Sequence, residues 1–264
     1  MKTRKVIQEI RDYLIRHSDQ KLVEKYSRYF GEGYDSYGIS TELFHELLKA
    51  VYLENVQDFP IEDLFLLGEE LIASGKYEEG SLAICLLSEL RKELVKANRK
   101  KKKQPEDTTY NIPHFDRQMF AKLKAWFDNG IRNWAHTDMT CSILLGQFLV
   151  DKSIKLTDFS EWKKSSSKWT RRAVPVSMIA LLKQETDFAP LLKFIDDMMM
   201  DDQRPVRQGL GWLLRETWKK EPQLVEEFLM KWKEEAPRLI FQYATEKMDK
   251  KYRERFRKTK KKLA

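Results

Sequence analysis

The chain holds 264 residues, with 49 lysines and arginines against 41 acids, a formal charge of +8. Apolar residues make up 42% and charged residues 34%, a balance that supports a packed core and excludes a wholly disordered polymer. The longest unbroken apolar run is the six residues from Leu82 to Leu87, far short of the roughly 20 that cross a bilayer, and the amino terminus lacks an apolar stretch of signal-peptide length, so a soluble cytoplasmic protein is expected.

Apolar residues recur at helical spacing along almost the whole chain, and strand alternation is nearly missing. Val6, Ile10, Tyr13 and Leu14 mark a first helix; Leu22, Tyr26, Tyr29 and Phe30 mark a second that ends near Gly31. Ser40 or Thr41 can cap a third, carried by Leu43, Leu47, Leu48, Val51 and Tyr52, and Pro60 opens a fourth through Leu64, Leu67, Leu71 and Ile72. A fifth runs from Tyr77 to Val95. The lysine-rich stretch that follows predicts a flexible basic loop over 95–113. Helices are then predicted over Phe115–Phe127, Trp134–Val150, Asp158–Lys164, Lys168–Gln184, Phe188–Met200, Pro205–Lys219, Leu224–Glu234 and Leu239–Lys247, with a basic carboxy-terminal tail over 248–264. Helix pairs in series, at roughly 35–45 residues per pair, predict an all-α fold: one curved α-solenoid of HEAT-like two-helix repeats over 1–264, with a concave basic groove. An irregular helical bundle is the alternative.

Several chemistries have no footing. Cys85 and Cys141 are the only cysteines and each lies in an apolar helical pattern, which reads as a pair of reduced core thiols. With four histidines and neither C-x-x-C nor H-E-x-x-H, no transition-metal set is recognisable. Gly31, Gly33 and Gly38 lack the dinucleotide spacing, and no phosphate loop or nucleophile elbow is present. Ser165 to Lys168 contains S-x-x-K, but three serines in a row read more simply as a joint between helices.

Charge is segregated. The windows Arg91–Lys103, Lys163–Arg172 and Lys247–Lys262 carry +7, +5 and +8, which leaves about −12 for the rest of the chain. Concentrated positive charge is the footprint of a protein that follows a phosphate backbone. The first and third windows read equally as solvated loops. The middle one, with Lys163, Lys164, Lys168, Arg171 and Arg172, is interleaved with Trp162 and Trp169 at a helix entrance and is the better backbone-contact candidate. In Trp134-Ala-His-Thr-Asp138 the i, i+4 spacing places an indole and a carboxylate on one helix face. Trp212 follows Gly209 and Gly211, small residues that let another backbone or a ligand come close. Asp138 lies 34 residues before Arg172, which lies 40 before Trp212, so successive repeats would bring them to equivalent places on one wall.

The segments N-W-A-H-T-D (Asn133 to Asp138), W-T-R-R-A (Trp169 to Ala173) and G-W-L-L-R-E (Gly211 to Glu216), supported by Y-G-I-S-T-E-L (Tyr37 to Leu43), make the chain resemble the bacterial DNA-alkylation-repair family of HEAT-like-repeat DNA glycosylases. The resemblance covers most of the chain. It implies that Trp134, Asp138 and Trp212 form the catalytic site with Arg172 beside them. It also implies a substrate, duplex DNA containing cationic N3- or N7-alkylated purines, excised without metal or cofactor. Relatives work without an enclosed base pocket. Members often have proline before the glutamate of the amino-terminal segment, where this chain has Thr41-Glu42.

The chemistry is consistent with those residue types. A purine alkylated at N3 or N7 already leaves as a neutral base, so the demand is to steady a positive sugar, and Asp138 supplies the charge. Trp134 and Trp212 attract a cationic ring, and Arg172 would hold a phosphate. Duller readings stand beside these. Asp138 caps a helix starting near Met139, the tryptophans are core (the preferred reading for Trp169), Arg172 is a structural ion-pair partner, and Met198 to Met200 fill core. His136 faces away from Trp134 and Asp138 around the helix and is not expected to be catalytic. A non-enzymatic binder of damaged or branched DNA and a helical-repeat protein-interaction scaffold are the alternative functions. A monomer and no membrane partner are expected.

Overall fold

The computed structural model describes residues 2–56, 59–101 and 111–259. Within them the chain is all-α: thirteen α-helices joined by short 3-10 and π-helical turns, with no strand among the described residues. Packing divides it into two compact units, Met1–Thr140 and Cys141–Ala264.

The first unit holds α1 (Lys2–Arg16), α2 (Gln20–Ser27), α3 (Thr41–Val51), α4 (Ile61–Ala73), α5 (Tyr77–Lys101), α6 (Ile112–Asn129) and α7 (Trp134–Thr140). Start signals read from sequence act as expected at α3, where Ser40 is the cap and its hydroxyl accepts from the Leu43 amide at 3.3 Å. Thr41 therefore holds the first helical position. α1, α3, α4, α5 and α6 pack around Ile10, Leu14, Leu67, Leu71, Leu82 and Leu86, all fully buried. Arg91 on α5 and Asp116 on α6, both buried, join through two bonds of 2.7 and 2.8 Å.

The second unit holds α8 (Gly146–Val150), α9 (Lys168–Met178), α10 (Ala189–Ile195), α11 (Arg204–Trp218), α12 (Pro222–Trp232) and α13 (Arg238–Ala244). α11 packs against both α9 and α13, while α10 packs against α12, so alternate helices form two rows. α9, α11 and α13 begin 36 and 34 residues apart, the period expected of stacked helix pairs. Two glycines permit this stacking. A Cβ on Gly211 would lie 2.4 Å from the Tyr243 Cβ and 2.8 Å from the Ile240 carbonyl, and one on Gly209 would meet α9 at 3.3–3.4 Å. The close approach predicted from these glycines is thus an approach of helix backbones at Gly211 and of α9 side chains at Gly209.

Several elements differ from the sequence reading. The second helix stops at Ser27, leaving Tyr29 and Phe30 in the following turn. The helix expected over Trp134–Val150 passes through a π-helical turn at Cys141–Leu145, and the short helix near Asp158 is two 3-10 turns. Pro175 lacks the N–H that would bond the Arg171 carbonyl, and α9 gives way to a 3-10 turn at Ile179–Lys183. α5 continues to Lys101, into the stretch expected to be loop; 102–110 lies outside the described residues. The expected tail is folded through 259. A 3-10 turn at Tyr252–Phe256 buries Phe256 completely, its carbonyl accepts from Arg238 at 3.1 Å, and Tyr252 donates to Glu226 at 2.6 Å. The buried ring and these hydrogen bonds together dock it; 260–264 lies outside the described residues.

Candidate functional site

In the first unit the site is built around the start of α7. Asn133 caps that helix, its side-chain oxygen accepting from the His136 amide at 2.8 Å. The first helical residue, Trp134, is 41% exposed. Its indole N–H donates to the Tyr29 carbonyl at 3.1 Å, and its ring stacks on Phe30 at 5.4 Å and 22°. One turn on, Asp138 is partly buried within α7. Asn133 already occupies the capping position, so the capping alternative for Asp138 does not apply to this helix.

His136 is buried, as its place on the opposite side of α7 predicts. A carbonyl only accepts, so Nε2 carries the proton donated to Tyr77 at 2.8 Å, and Nδ1 accepts from the Asn133 amide at 3.1 Å. The ring lies flat on Tyr77 and fills the space left by Gly80, where a Cβ would stand 2.5 Å from it. Burial holds its pKa below the ordinary value, outweighing the Tyr77 carbonyl and the Glu78 charge.

Next to Trp134 lies a cavity of about 760 Å³, walled by Tyr26, Tyr29, Phe30, Tyr34, Tyr77 and Trp134, with Glu42 and Glu78 among its other lining residues. The rings touch one another: Phe30 stacks on Tyr34 at 4.4 Å, and Tyr34 meets Tyr77 at 5.3 Å. Glu78 is 4% exposed and ties down the loop before α3, accepting from the Ser36 hydroxyl at 2.6 Å and from the amides of Tyr37 at 2.9 Å and Gly38 at 2.8 Å. Gly38 is required there. Its φ is +76°, and a Cβ would lie 2.2 Å from the Asp19 carbonyl. Burial pushes the Tyr34 phenol up to about 12 and the Cys85 thiol up to about 11. Sequence reasoning treated Tyr26, Tyr29 and Phe30 as one helix face and passed over Tyr34, Tyr77 and Glu78. The available signal was the crowding of aromatics between Tyr26 and Tyr37 around three glycines.

The second unit holds the remaining candidates. Trp212 on α11 is partly buried and lines a pocket of about 400 Å³ with Val176, Ile179, Ala180 and Lys183. Arg172 is 6% exposed, and its guanidinium donates to the Pro205 carbonyl at 2.6 Å, fastening α9 to the start of α11. It stands in this structure as a tie between helices rather than as an open phosphate hook. Arg171 pairs with Asp201 at 2.6 Å and donates to the Ser165 carbonyl at 2.7 Å; Lys163 pairs with Asp197 at 2.8 Å. Lys164 keeps 73% of its side chain exposed, with Glu161 at 3.8 Å. Lys168 lies over the ring of Trp169, which is buried, as is Trp162. Among the described residues no group of three His, Cys, Asp or Glu is placed to hold a metal ion, and no helix is long and apolar enough to cross a membrane.

The second unit's stacked helix pairs define a helical-repeat protein, and the first unit's α7 sets a half-exposed indole one turn before a carboxylate, a candidate site for a charged ligand. The family model described as DNA alkylation repair enzyme matches residues 10–248. The chain belongs to that family, which supports a role in DNA repair. A solved structure titled as a predicted DNA alkylation repair enzyme from Enterococcus faecalis shares the fold: TM-score 0.63 at 19% identity, covering 89% of this chain and 98% of the other. The crystal structure of smu.31 from Streptococcus mutans UA159 aligns over 94% of this chain and 100% of its own at 19% identity, with TM-score 0.45. No curated protein matches by sequence.

Proposed function

We propose that the protein is a monofunctional DNA glycosylase that hydrolyses the N-glycosidic bond of cationic N3- or N7-alkylated purines in duplex DNA. The observation that carries this reading is the pairing of Trp134, 41% exposed, with Asp138 one turn later on α7, in a chain of the DNA alkylation repair enzyme family. As the bond lengthens, its electron pair passes to the ring nitrogen, the purine leaves neutral, and positive charge develops on the sugar. No acid is needed for the leaving group. A carboxylate about 4 Å from that charge, at an effective dielectric of about 20, lowers the state by about 4 kcal/mol, a factor of about a thousand in rate. Asp138 supplies it and orients the water whose oxygen bonds to the anomeric carbon as its surplus proton passes to solvent. Trp134 and Trp212 offer ring faces to the cation, each contributing about 0.5–2 kcal/mol. Lys164, whose side chain is 73% exposed, is the backbone contact we favour in the basic window, because Lys163, Arg171 and Arg172 are held by Asp197, Asp201 and Pro205.

Duplex DNA containing 7-methylguanine tests the reading: base release is expected, whereas retention without release would leave a damage-binding protein and neither would leave a scaffold. Asp138→Asn should slow single-turnover excision at least about tenfold with DNA affinity little changed, since about 1.4 kcal/mol of lost charge stabilisation has that effect. Equal rates for the two proteins would remove Asp138 from the mechanism.

A further inference from the structure

The cavity beside Trp134 in the first unit has a composition at odds with the rest of the chain. Of its nineteen lining residues none is lysine or arginine, although the chain carries 49 of them, while seven are tyrosine, phenylalanine or tryptophan and two are glutamates. Its volume of about 760 Å³ falls in the range of about 300–1,000 Å³ typical of small-ligand sites. Aromatic faces attract cations, and Tyr26 and Tyr29 already hold Lys25 and Arg28 at 5.2 and 4.9 Å from their ring centres. Phe30, Tyr34, Tyr77 and Trp134 touch one another in series, and among the described residues no cation lies over them.

Two polar groups narrow the class of cation that fits. Glu78 is buried and accepts from four donors: the Ser36 hydroxyl at 2.6 Å and the amides of Tyr37 at 2.9 Å, Gly38 at 2.8 Å and Ile39 at 3.4 Å. A carboxylate offers about four lone-pair positions, so Glu78 supplies negative charge with no place left for a further donor. An ammonium or guanidinium would bring N–H groups that Glu78 cannot satisfy, whereas a trimethylammonium group brings none. Ser81 is buried on the same wall, and its hydroxyl completes no hydrogen bond, although it lies near enough to the Tyr77 phenol to steady that group's anion. An oxygen on a ligand would satisfy it.

We propose that this cavity binds small molecules bearing a trimethylammonium group, seated among Phe30, Tyr34, Tyr77 and Trp134 in the field of Glu78 and Glu42, with a hydroxyl or carbonyl oxygen of the same molecule reaching Ser81. The remaining volume takes the rest of the molecule. This site goes beyond the glycosylase reading and requires neither DNA nor a purine.

The test uses the full-length protein at pH 8 and three probes of related shape, titrated calorimetrically. They are choline, its neutral isostere 3,3-dimethylbutan-1-ol, and ethanolamine, which is positively charged but carries N–H groups. We expect one choline per chain, held at least about tenfold more tightly than either of the other two. Tyr34→Leu and Glu42→Lys should each weaken choline at least about threefold. Glu42 is exposed at the start of α3, so its variant folds even if Tyr34→Leu does not. Lack of saturable choline binding, equal affinity for either other probe, or affinity unchanged in Glu42→Lys or in a folded Tyr34→Leu would overturn the site. Base release from methylated duplex DNA, measured on the same preparations, separates the two readings. Selective choline binding without release keeps the site and sinks the glycosylase, and release without choline binding does the reverse.

Discussion

His136 shows how a residue embedded in a functional motif can serve structure alone. Both ring nitrogens are satisfied in the neutral form, and adding a proton to Nδ1 would set it against the Asn133 amide whose oxygen caps α7. Burial holds the native pKa below the ordinary value of about 6.5, so the unfolded chain binds the proton more readily. The full contribution to stability is present above about pH 6.5 and is lost as pH falls below it, at no more than about 1.4 kcal/mol per pH unit. Urea unfolding between pH 7.5 and 5.5 should show this slope in the parent and a shallower one in His136→Gln; identical slopes would assign the acid sensitivity elsewhere. Trp134 and Asp138 were legible as a pair because a helix makes i and i+4 neighbours. The burial of Arg172 was not, because the carbonyl that holds it, at Pro205, is distant in sequence.

At the scale of elements, close helix packing in the second unit depends on positions where a methyl group has no room. Gly211→Ala would force Tyr243 and the Ile240 carbonyl on α13 away from α11, at a cost of about 1–3 kcal/mol. A fall of about 2–12 °C in the thermal midpoint is expected, while Gly31→Ala, with nothing within 4 Å of the added carbon, should leave it nearly unchanged or raise it. Phe256 gives the matching test for the end of the described chain. Its ring is fully buried, so Phe256→Ala should destabilise by about 3–5 kcal/mol, and proteolysis should then cut within 248–259. A variant as stable as the parent would restore the picture of a free tail. The helices themselves were readable from the 3.6-residue repeat of apolar residues. The break after Pro175 was written in the sequence, since proline lacks the N–H a continuing helix needs, whereas the π-helical turn at Cys141–Leu145 and the end of α2 at Ser27 carry no such mark.

For the molecule as a whole, charge separates what a sequence window counts from what a ligand meets. The window Lys163–Arg172 contains no acid, yet folding brings Asp197, Asp201 and Asp202 onto Lys163 and Arg171. If Lys164 contacts a phosphate, Lys164→Ala should reduce the slope of log affinity against log salt by about 0.9, while Lys163→Ala should change it little. Equal slopes for the two variants would refute this division of labour. The amino-acid sequence by itself determined the helical class, the period of the second unit's stacked pairs, and the Trp134–Asp138 pairing, since all three follow from spacing along a regular helix. Only the tertiary structure decided which cations remain open, that 248–259 docks rather than dangles, and that aromatics from α2, its following turn, α5 and α7 line one cavity with Glu78. Those outcomes depend on groups far apart in sequence meeting in space, and periodicity within one helix carries no information about that.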